Sequence, residues 1–374
     1  MNKALRVIIS GGGTGGHIFP AISIANAIRQ KQPDAQILFV GAEGRMEMQR
    51  VPAAGYEIKG LPICGFDRKH LWRNAAVLLK ILRSRRLARR IVATFRPDVC
   101  VGVGGYASGP TLNVAQAMGI PTLLQEQNSY AGVTNKLLAQ KADRICVAYE
   151  NMSRFFPADK IVLTGNPVRQ GLVGARVDRA EALRALGLSP ARRTVLIVGG
   201  SLGARTLNEC VLGNLPLVRQ QNSVQFIWQT GGFYSREIQA ELKRRGRPGN
   251  LYVTDFIADM ASVYAVADLV ISRAGAGSIS EFCLLAKPVI LVPSPNVAED
   301  HQTKNALALV QQDAALYVKD SEARMTLLPL AINTIMQPER LEQLSQNIRG
   351  LARPNAASDI ADEVIRLAAS RAGA

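Results

Sequence analysis

The stretch Val7-Ile8-Ile9-Ser10-Gly11-Gly12-Gly13-Thr14-Gly15-Gly16-His17-Ile18-Phe19-Pro20-Ala21 decides the fold class. A short β-branched run leads into a loop that is nearly all glycine, and apolar residues then recur at helical spacing (Ile18, Ala21, Ile22, Ala25, Ile28). Strand, glycine loop and helix in that order point backbone N–H groups at an anion, usually a phosphate. Glycine is required because the chain must reach positive φ and let the ligand approach the main chain. Gly11, Gly13 and Gly16 also match the dinucleotide spacing G-x-G-x-x-G, which is a weak signal alone. A dehydrogenase would close its second strand on an acid that holds a ribose. Here Ile37-Leu38-Phe39-Val40 closes on Gly41 and Ala42, with Glu43 just beyond. The loop reads as a phosphate binder, and the dinucleotide reading is weak.

Outward from this loop, short apolar strands alternate with helical segments. Candidate strands are Val7–Ser10, Ile37–Val40, Val99–Val103, Thr122–Gln125, Arg144–Val147 and Ile161–Leu163. That alternation predicts a parallel sheet covered on both faces. It stops near Gly165-Asn166-Pro167, and a polar, Arg-rich connection runs to about Arg193. Then Thr194-Val195-Leu196-Ile197-Val198 enters Gly199-Gly200-Ser201-Leu202-Gly203-Ala204, and strands recur at Gln225–Gln229, Leu251–Val253, Leu269–Ser272 and Val289–Val292. The fold class is therefore α/β, two doubly wound Rossmann-like domains, with ligands at the carboxyl ends of the strands and a cleft between facing domains. The expected division is 1–165, 166–345 and a C-terminal helical segment 346–374. That segment either stays with the second domain or crosses back to the first.

The 374 residues suffice for two cores, and no apolar stretch is long enough to span a bilayer. The run behind Lys3 and Arg6 is too short for a signal peptide, which points to a cytosolic chain. Five scattered cysteines without a C-x-x-C pair read as buried, reduced thiols. With three histidines and no Cys/His cluster, a metal site is not expected.

A formal charge of +16 would suit nucleic acid, an anionic membrane surface or a polyphosphorylated substrate. Its location discriminates among them. Arg68, Lys69, Arg73, Lys80, Arg83, Arg85, Arg86, Arg89, Arg90 and Arg96 crowd the stretch 66–96, interleaved with Leu71, Trp72, Leu79 and other apolar residues. Such a segment suits the headgroup level of an anionic bilayer, and Arg68, Lys69, Leu71, Trp72, Arg73, Leu79 and Lys80 are the candidate membrane contacts. Ala88–Val92 reads instead as the core-facing stripe of an outer helix. No nucleic acid partner is expected, because the stretch has neither an aromatic stacking surface nor a recognised binding signature.

Two further glycine-rich turns follow strands, Gly102-Val103-Gly104-Gly105-Tyr106-Ala107-Ser108-Gly109 and Arg273-Ala274-Gly275-Ala276-Gly277-Ser278-Ile279-Ser280-Glu281. Two such turns in each half suggest two phosphate-bearing ligands. Arg169 could reach a diphosphate. Glu281, early in the helix after the last turn, could accept hydrogen bonds from ribose hydroxyls. Gln125-Glu126-Gln127-Asn128 and the segment holding Glu299, Asp300, His301 and Gln302 place polar side chains at strand ends, where they could read sugar hydroxyls. There is no nucleophile elbow, no Walker lysine, and no D-x-D pair to hold a metal–diphosphate complex.

Taken together and in order, Gly12–His17, Gly104-Gly105-Tyr106, Glu126-Gln127-Asn128, Gly165-Asn166-Pro167-Val168-Arg169, Gly199–Ala204 and Ser278-Ile279-Ser280-Glu281 resemble the MurG family of glycosyltransferases over nearly the whole chain. The resemblance implies a GT-B fold without a cofactor. It also implies inverting transfer of N-acetylglucosamine from UDP-GlcNAc to the muramyl 4-hydroxyl of lipid I, at the cytoplasmic face of the bacterial plasma (inner) membrane. By that likeness 1–165 is the acceptor and membrane-association domain, with Gly13, His17, Gly104, Gly105 and Tyr106 on the acceptor diphosphate. The domain 166–345 would take UDP-GlcNAc. Ser201 and Arg169 would meet its diphosphate, the Ile257 backbone the uracil, and Ala276, Gly277, Ser278, Ile279 and Ser280 the nucleotide beside Glu281 on the ribose. Gln302 would read the sugar, with Thr14, Gly15, Gly16 and Asn128 closing on it from the first domain. His301 stands where many relatives carry glutamine, and Leu202 where glutamine is frequent.

An inverting transfer needs a base for the attacking hydroxyl. His17 is the first candidate and Glu126 the second, and His17 has the alternative role of hydrogen-bonding the acceptor diphosphate. The rival reading from another class is an epimerase acting on UDP-GlcNAc, or a binding protein, on the same two-domain scaffold.

Overall fold

A computed structural model describes residues 4–63, 74–168, 171–172, 177–200 and 202–372, with backbone alone for residues 74–79, 298, 371 and 372. The chain divides into two compact units, Met1–Arg169 with Arg353–Ala374, and Gln170–Ala352.

The first unit is built on β1 (Arg6–Ser10), β2 (Gln36–Ala42), β3 (Glu57–Leu61), β4 (Val99–Gly102), β5 (Thr122–Glu126), β6 (Arg144–Val147) and β7 (Ile161–Leu163). Every pairing is parallel and the order is β3-β2-β1-β4-β5-β6-β7. Helices on both faces bury the central strands completely: Val7, Ile8, Ile9, Val99, Cys100 and Val101 are all 0% exposed. Continuous β-branched runs are the sequence form of a strand with no solvent face.

The second unit repeats the plan with β8 (Arg193–Val198), β9 (Val224–Gln229), β10 (Leu251–Thr254), β11 (Leu269–Ser272), β12 (Val289–Leu291) and β13 (Leu316–Tyr317). Its order is β10-β9-β8-β11-β12-β13, again all parallel. Two strands lie outside the sequence expectation. β3 reads Glu57-Ile58-Lys59-Gly60-Leu61, alternating and half-polar because it is an edge, and β13 is a two-residue edge too short to register as a run.

Strand order reverses between β1 and β4 in the first sheet, and between β8 and β11 in the second. At such a switch point the flanking connections leave in opposite directions and open a crevice beyond the strand ends. The loops at these positions are 11–14 after β1, 103–107 after β4, 199–204 after β8 and 273–275 after β11. They are the four glycine-rich turns of the sequence. The chain thus places its side-chain-free backbone where a doubly wound sheet receives ligands.

The helix Pro338–Gly350 lies in the second unit, while the helix Ala356–Ala372 lies in the first. There Ile360, Ala361, Val364 and Ala368 join the core made by β1, β2, β4 and the helix Gly15–Lys31. Gly165, at φ 86°, would overlap the Arg353 side chain if it carried a Cβ, so the crossing of the two segments is fitted to glycine. Replacing Ile360, which is 0% exposed, by alanine should destabilise the first unit by about 2–5 kcal/mol. Chemical denaturation followed in that unit tests this, and an unchanged midpoint would contradict the packing.

Cys100, Cys146, Cys210 and Cys283 are buried. Burial pushes the Cys210 and Cys283 thiols up to about 12, and raises Cys146 further with the help of Glu363. At pH 8 a thiol with such a pKa is about one ten-thousandth thiolate, and the thiolate is the reactive form. A thiol reagent at pH 8 should therefore leave these positions intact in the native chain and modify them on unfolding. Reaction of Cys210 or Cys283 in the folded state would contradict the burial.

Candidate functional site

In the first unit the loop after β1 is held open from behind. Gly12 and Gly13 take φ of 147° and 89°. The buried Glu47 carboxyl reaches under them, accepting from Gly13 N at 2.9 Å and from Ala42 N at 3.0 Å. A Cβ on Gly12 would collide with that carboxyl, and one on Gly105 would overlap the Gly12 carbonyl oxygen. The loops after β1 and β4 therefore pack main chain on main chain. Thr14 caps the helix Gly15–Lys31 without a side-chain hydrogen bond, and its first turn carries no acid. That leaves the early N–H groups with the character of an anion seat.

His17 is half-buried in the first turn of that helix, and its Nδ1 lies 3.0 Å from Gln127 Oε1. Gln127 Nε2 donates to Val103 O at 2.8 Å and also to Gln125 Oε1. Gln125 Nε2 donates to Asn166 Oδ1 at 3.0 Å, and Asn166 Nδ2 donates to Gln127 O at 3.0 Å. Four polar side chains are thus tied into one buried chain. Gly104, at φ 87°, backs the imidazole: a Cβ there would stand 2.9 Å from His17 Cε1. Tyr106, in the same turn, is 50% exposed.

Glu126 is only 2% exposed. Its Oε1 accepts from Asn128 N at 3.1 Å and Nδ2 at 3.2 Å, and its Oε2 from Gly132 N and Asn135 Nδ2, each at 2.9 Å. Four donors on one buried carboxyl make Glu126 a clasp for the loop 127–135. That commitment removes its lone pairs from proton transfer to an external ligand, against its candidacy as a base. Asn128, half-buried, is held by the same clasp.

In the second unit the loop after β8 is fitted to its neighbour in the same way. Gly200 and Gly203 take φ of 85° and 81°. A Cβ on Gly203 would overlap Thr230 O, and one on Gly231 would overlap Gly203 Cα. Gln229 spans the loop, accepting from Gly199 N at 3.2 Å and donating to Gly200 O at 2.9 Å. After β11, Gly275 caps the helix Ala276–Leu284 with no side-chain hydrogen bond and no acid in its first turn. The N–H groups of Ala276, Gly277 and Ser278 open this helix, and Ser280 Oγ turns back onto Ala276 O at 3.0 Å. Ile279 is buried in the core.

Glu281 lies in the second turn of that helix rather than the first, 8% exposed, and Tyr264 OH donates to its Oε2 at 3.0 Å. Gln302 is half-buried, and its Oε1 accepts from Ser294 N at 2.8 Å, which turns its amide nitrogen to other partners as a donor. Ile257 is half-buried in the turn that follows β10. Arg273 is turned inward onto Asp320 at 2.5 Å and onto Val292 O and Pro293 O, so it anchors the loop. Ser201 and Arg169, expected at the diphosphate, lie outside the described residues, as do Arg68, Lys69, Leu71, Trp72 and Arg73.

The basic stretch continues as the helix Asn74–Phe95. Leu79 is on this helix, but its side chain lies outside those described, and Lys80 is exposed. Ser84, Ala88 and Val92 form the buried stripe at helical spacing, while Arg83, Arg85, Arg86, Arg89 and Arg90 face outward around Leu82, which is 54% exposed. No described helix is long and apolar enough to cross a membrane.

A model described as the glycosyltransferase family 28 N-terminal domain matches residues 7–147, and one described as the family 28 C-terminal domain matches residues 194–364. The chain belongs to glycosyltransferase family 28. Its two doubly wound units are those of the GT-B fold. Within family 28, the chain is 68% identical over 365 residues to a Bacteroides fragilis protein named UDP-N-acetylglucosamine--N-acetylmuramyl-(pentapeptide) pyrophosphoryl-undecaprenol N-acetylglucosamine transferase, covering 98% of this chain and 96% of that one. A Parabacteroides distasonis protein of the same name is 60% identical, covering 98% and 99%. Among solved structures, Acinetobacter baumannii MurG aligns with a TM-score of 0.77 at 30% identity, covering 97% of this chain and 99% of that one. The UDP-GlcNAc 2-epimerase of Neisseria meningitidis aligns with a TM-score of 0.67 at 15% identity, covering 97% and 100%, a likeness of fold alone.

Glu47 and Tyr264 were not singled out for roles by the sequence, and Gln127 was read only as one of a cluster of sugar-hydroxyl readers. Each acts on a site element distant in the chain, and only Gln127 stands inside a motif. The glycine packing itself is testable. Gly105→Ala combines a positive φ with a main-chain overlap and should destabilise the first unit by about 1–3 kcal/mol. Gly16→Ala meets nothing nearer than Thr14 Oγ1 at 3.6 Å and should leave the melting temperature unchanged or slightly raised. Equal effects of the two in thermal melts would refute the loop contact.

Proposed function

We propose that the chain transfers N-acetylglucosamine from UDP-GlcNAc to the muramyl 4-hydroxyl of undecaprenyl-diphospho-muramoyl-pentapeptide, lipid I, forming lipid II with inversion at the anomeric carbon. The observation that carries this reading is the full-length likeness to relatives named for that transfer, joined to glycine loops at both switch points. The second unit takes the donor. N–H groups opening the helix Ala276–Leu284, with Ser201 and Arg169, receive the diphosphate. Glu281, already oriented by Tyr264, accepts from the ribose hydroxyls, and the Ile257 main chain meets the uracil. Gln302, its carbonyl occupied by Ser294 N, donates its amide to a sugar hydroxyl.

The first unit takes the acceptor. Its diphosphate meets the loop at Gly13 and the turn Gly104–Tyr106, and Thr14, Gly15, Gly16 and Asn128 close on the transferred sugar. His17 is the base. It takes the 4-hydroxyl proton while that oxygen bonds to the anomeric carbon, and the bond from that carbon to the UDP β-phosphate oxygen breaks with its electron pair. Preorganised N–H dipoles then stabilise the charge on departing UDP. Basic and apolar residues between Arg68 and Lys80, continued by the outward arginines and Leu82, hold the chain peripherally on the anionic cytoplasmic face of the plasma membrane.

UDP release from UDP-GlcNAc should require a lipid I analogue and should be unchanged by EDTA. UDP release or epimerised sugar without acceptor would favour the epimerase reading. His17→Ala should lower kcat by about 10²–10⁴-fold, and near-normal turnover at saturating acceptor would remove His17 as the base. Neutralising Arg68, Lys69, Arg73 and Lys80 should weaken binding to anionic vesicles by about 1 kcal/mol per charge. Undiminished binding would refute the membrane surface.

A further inference from the structure

We propose that Gln127 is a positioning residue that fixes neutral His17 as its Nδ1–H tautomer, making Nε2 the nitrogen that receives the acceptor proton. The second half of that statement rests on the reading of His17 as the base. A neutral imidazole has one donor and one acceptor nitrogen, and the partner of one decides the role of the other. His17 Nδ1 faces Gln127 Oε1 at 3.0 Å. Taken alone that pair is ambiguous, since a side-chain amide can be turned end for end. Here the amide is fixed from outside. Gln127 Nε2 faces Val103 O at 2.8 Å, and a backbone carbonyl has no hydrogen to give. The second hydrogen of Nε2 goes to Gln125 Oε1.

The far end of the chain is fixed in the same way. Asn166 Nδ2 faces another main-chain carbonyl, Gln127 O, at 3.0 Å, so Asn166 Oδ1 must accept from Gln125 Nε2. Reversing any one of the three amides would bring two oxygens face to face. Gln125, Gln127 and Asn166 are 0%, 2% and 4% exposed, so such a mismatch would cost about 1–3 kcal/mol with no water to relieve it. Two backbone carbonyls thus set the direction of the whole relay. It ends in an oxygen that can only accept, and His17 Nδ1 must carry the hydrogen. Gly104 completes the setting, because without a Cβ it lets the Cε1–Nδ1 edge of the ring lie against the turn after β4.

The test is the two-bond 15N–1H correlation pattern of the imidazoles in the full-length, 15N-histidine-labelled chain, at a pH where His17 is neutral. The chain has three histidines, and His17→Ala assigns the one of interest. The wild-type ring should show the Nδ1–H pattern, and an Nε2–H pattern would overturn the proposal without recourse to any variant. Gln127→Leu removes the acceptor and should move the ring toward the Nε2–H form. It should also lower kcat at saturating acceptor by about 10- to 100-fold with KM for UDP-GlcNAc unchanged. Gln127→Glu deprives Val103 O of its donor just as the leucine does, yet keeps an acceptor for Nδ1–H. It should keep the Nδ1–H pattern and restore most of the turnover. Retention of the Nδ1–H pattern in Gln127→Leu, or its loss in Gln127→Glu, would overturn the assignment. A tautomer that moves while kcat stays constant would uphold the role of Gln127 in fixing the ring and refute His17 as the base.

Discussion

The structure depends on one steric constraint: at the ends of its central strands, main chain packs directly on main chain. Gly105 lies on the Gly12 carbonyl, and Gly203 on Thr230 and Gly231, at separations that no side chain could survive. Removing side chains there brings strand–helix turns close together, and the helices Gly15–Lys31 and Arg205–Gly213 open at those strand ends with no side-chain cap hydrogen bond. N–H groups at such helix starts are the fixed partial charges that a phosphate seeks. The completely buried β-branched strands beneath hold the turns at a constant height.

Around these turns, neutral amides do much of the work that charges might do. Gln125, Gln127 and Asn166 form a closed relay behind His17, and Gln229 ties the loop after β8 to the strand end beyond it. Buried amides that satisfy one another avoid the desolvation cost of buried ions while still fixing direction, since each has a donor end and an acceptor end. Where carboxyls are buried near the first site they act as clasps, Glu47 under the loop after β1 and Glu126 over the loop 127–135.

Much of this was legible in the sequence, and the reason is local. A β-branched run followed by glycines is both the cause and the signature of a buried parallel strand feeding a ligand turn, so β1, β4, β8 and β11 could be read with their loops. β3 and β13 could not, because edge strands are short or half-polar and share those features with turns. Glu126 illustrates a different ambiguity. An acid at a strand end can serve a substrate or a loop, and only the positions of Asn128, Gly132 and Asn135 distinguish the two. Glu47 was invisible for a related reason, being some thirty residues from the glycines it supports. The helix Ala356–Ala372 has an apolar stripe that any core would accept, and its docking on the first unit is a tertiary outcome.

On the proposed function, each unit's switch-point turns hold a phosphate-bearing ligand, and the nucleotide belongs to the second unit. Amide hydrogen exchange of the full chain, with and without UDP-GlcNAc, measures this most directly. Exchange should slow in 199–204 and 275–279, with 104–106 unchanged until a lipid I analogue is added. Protection by the nucleotide confined to 11–17 and 104–106, with the second unit unaffected, would contradict it.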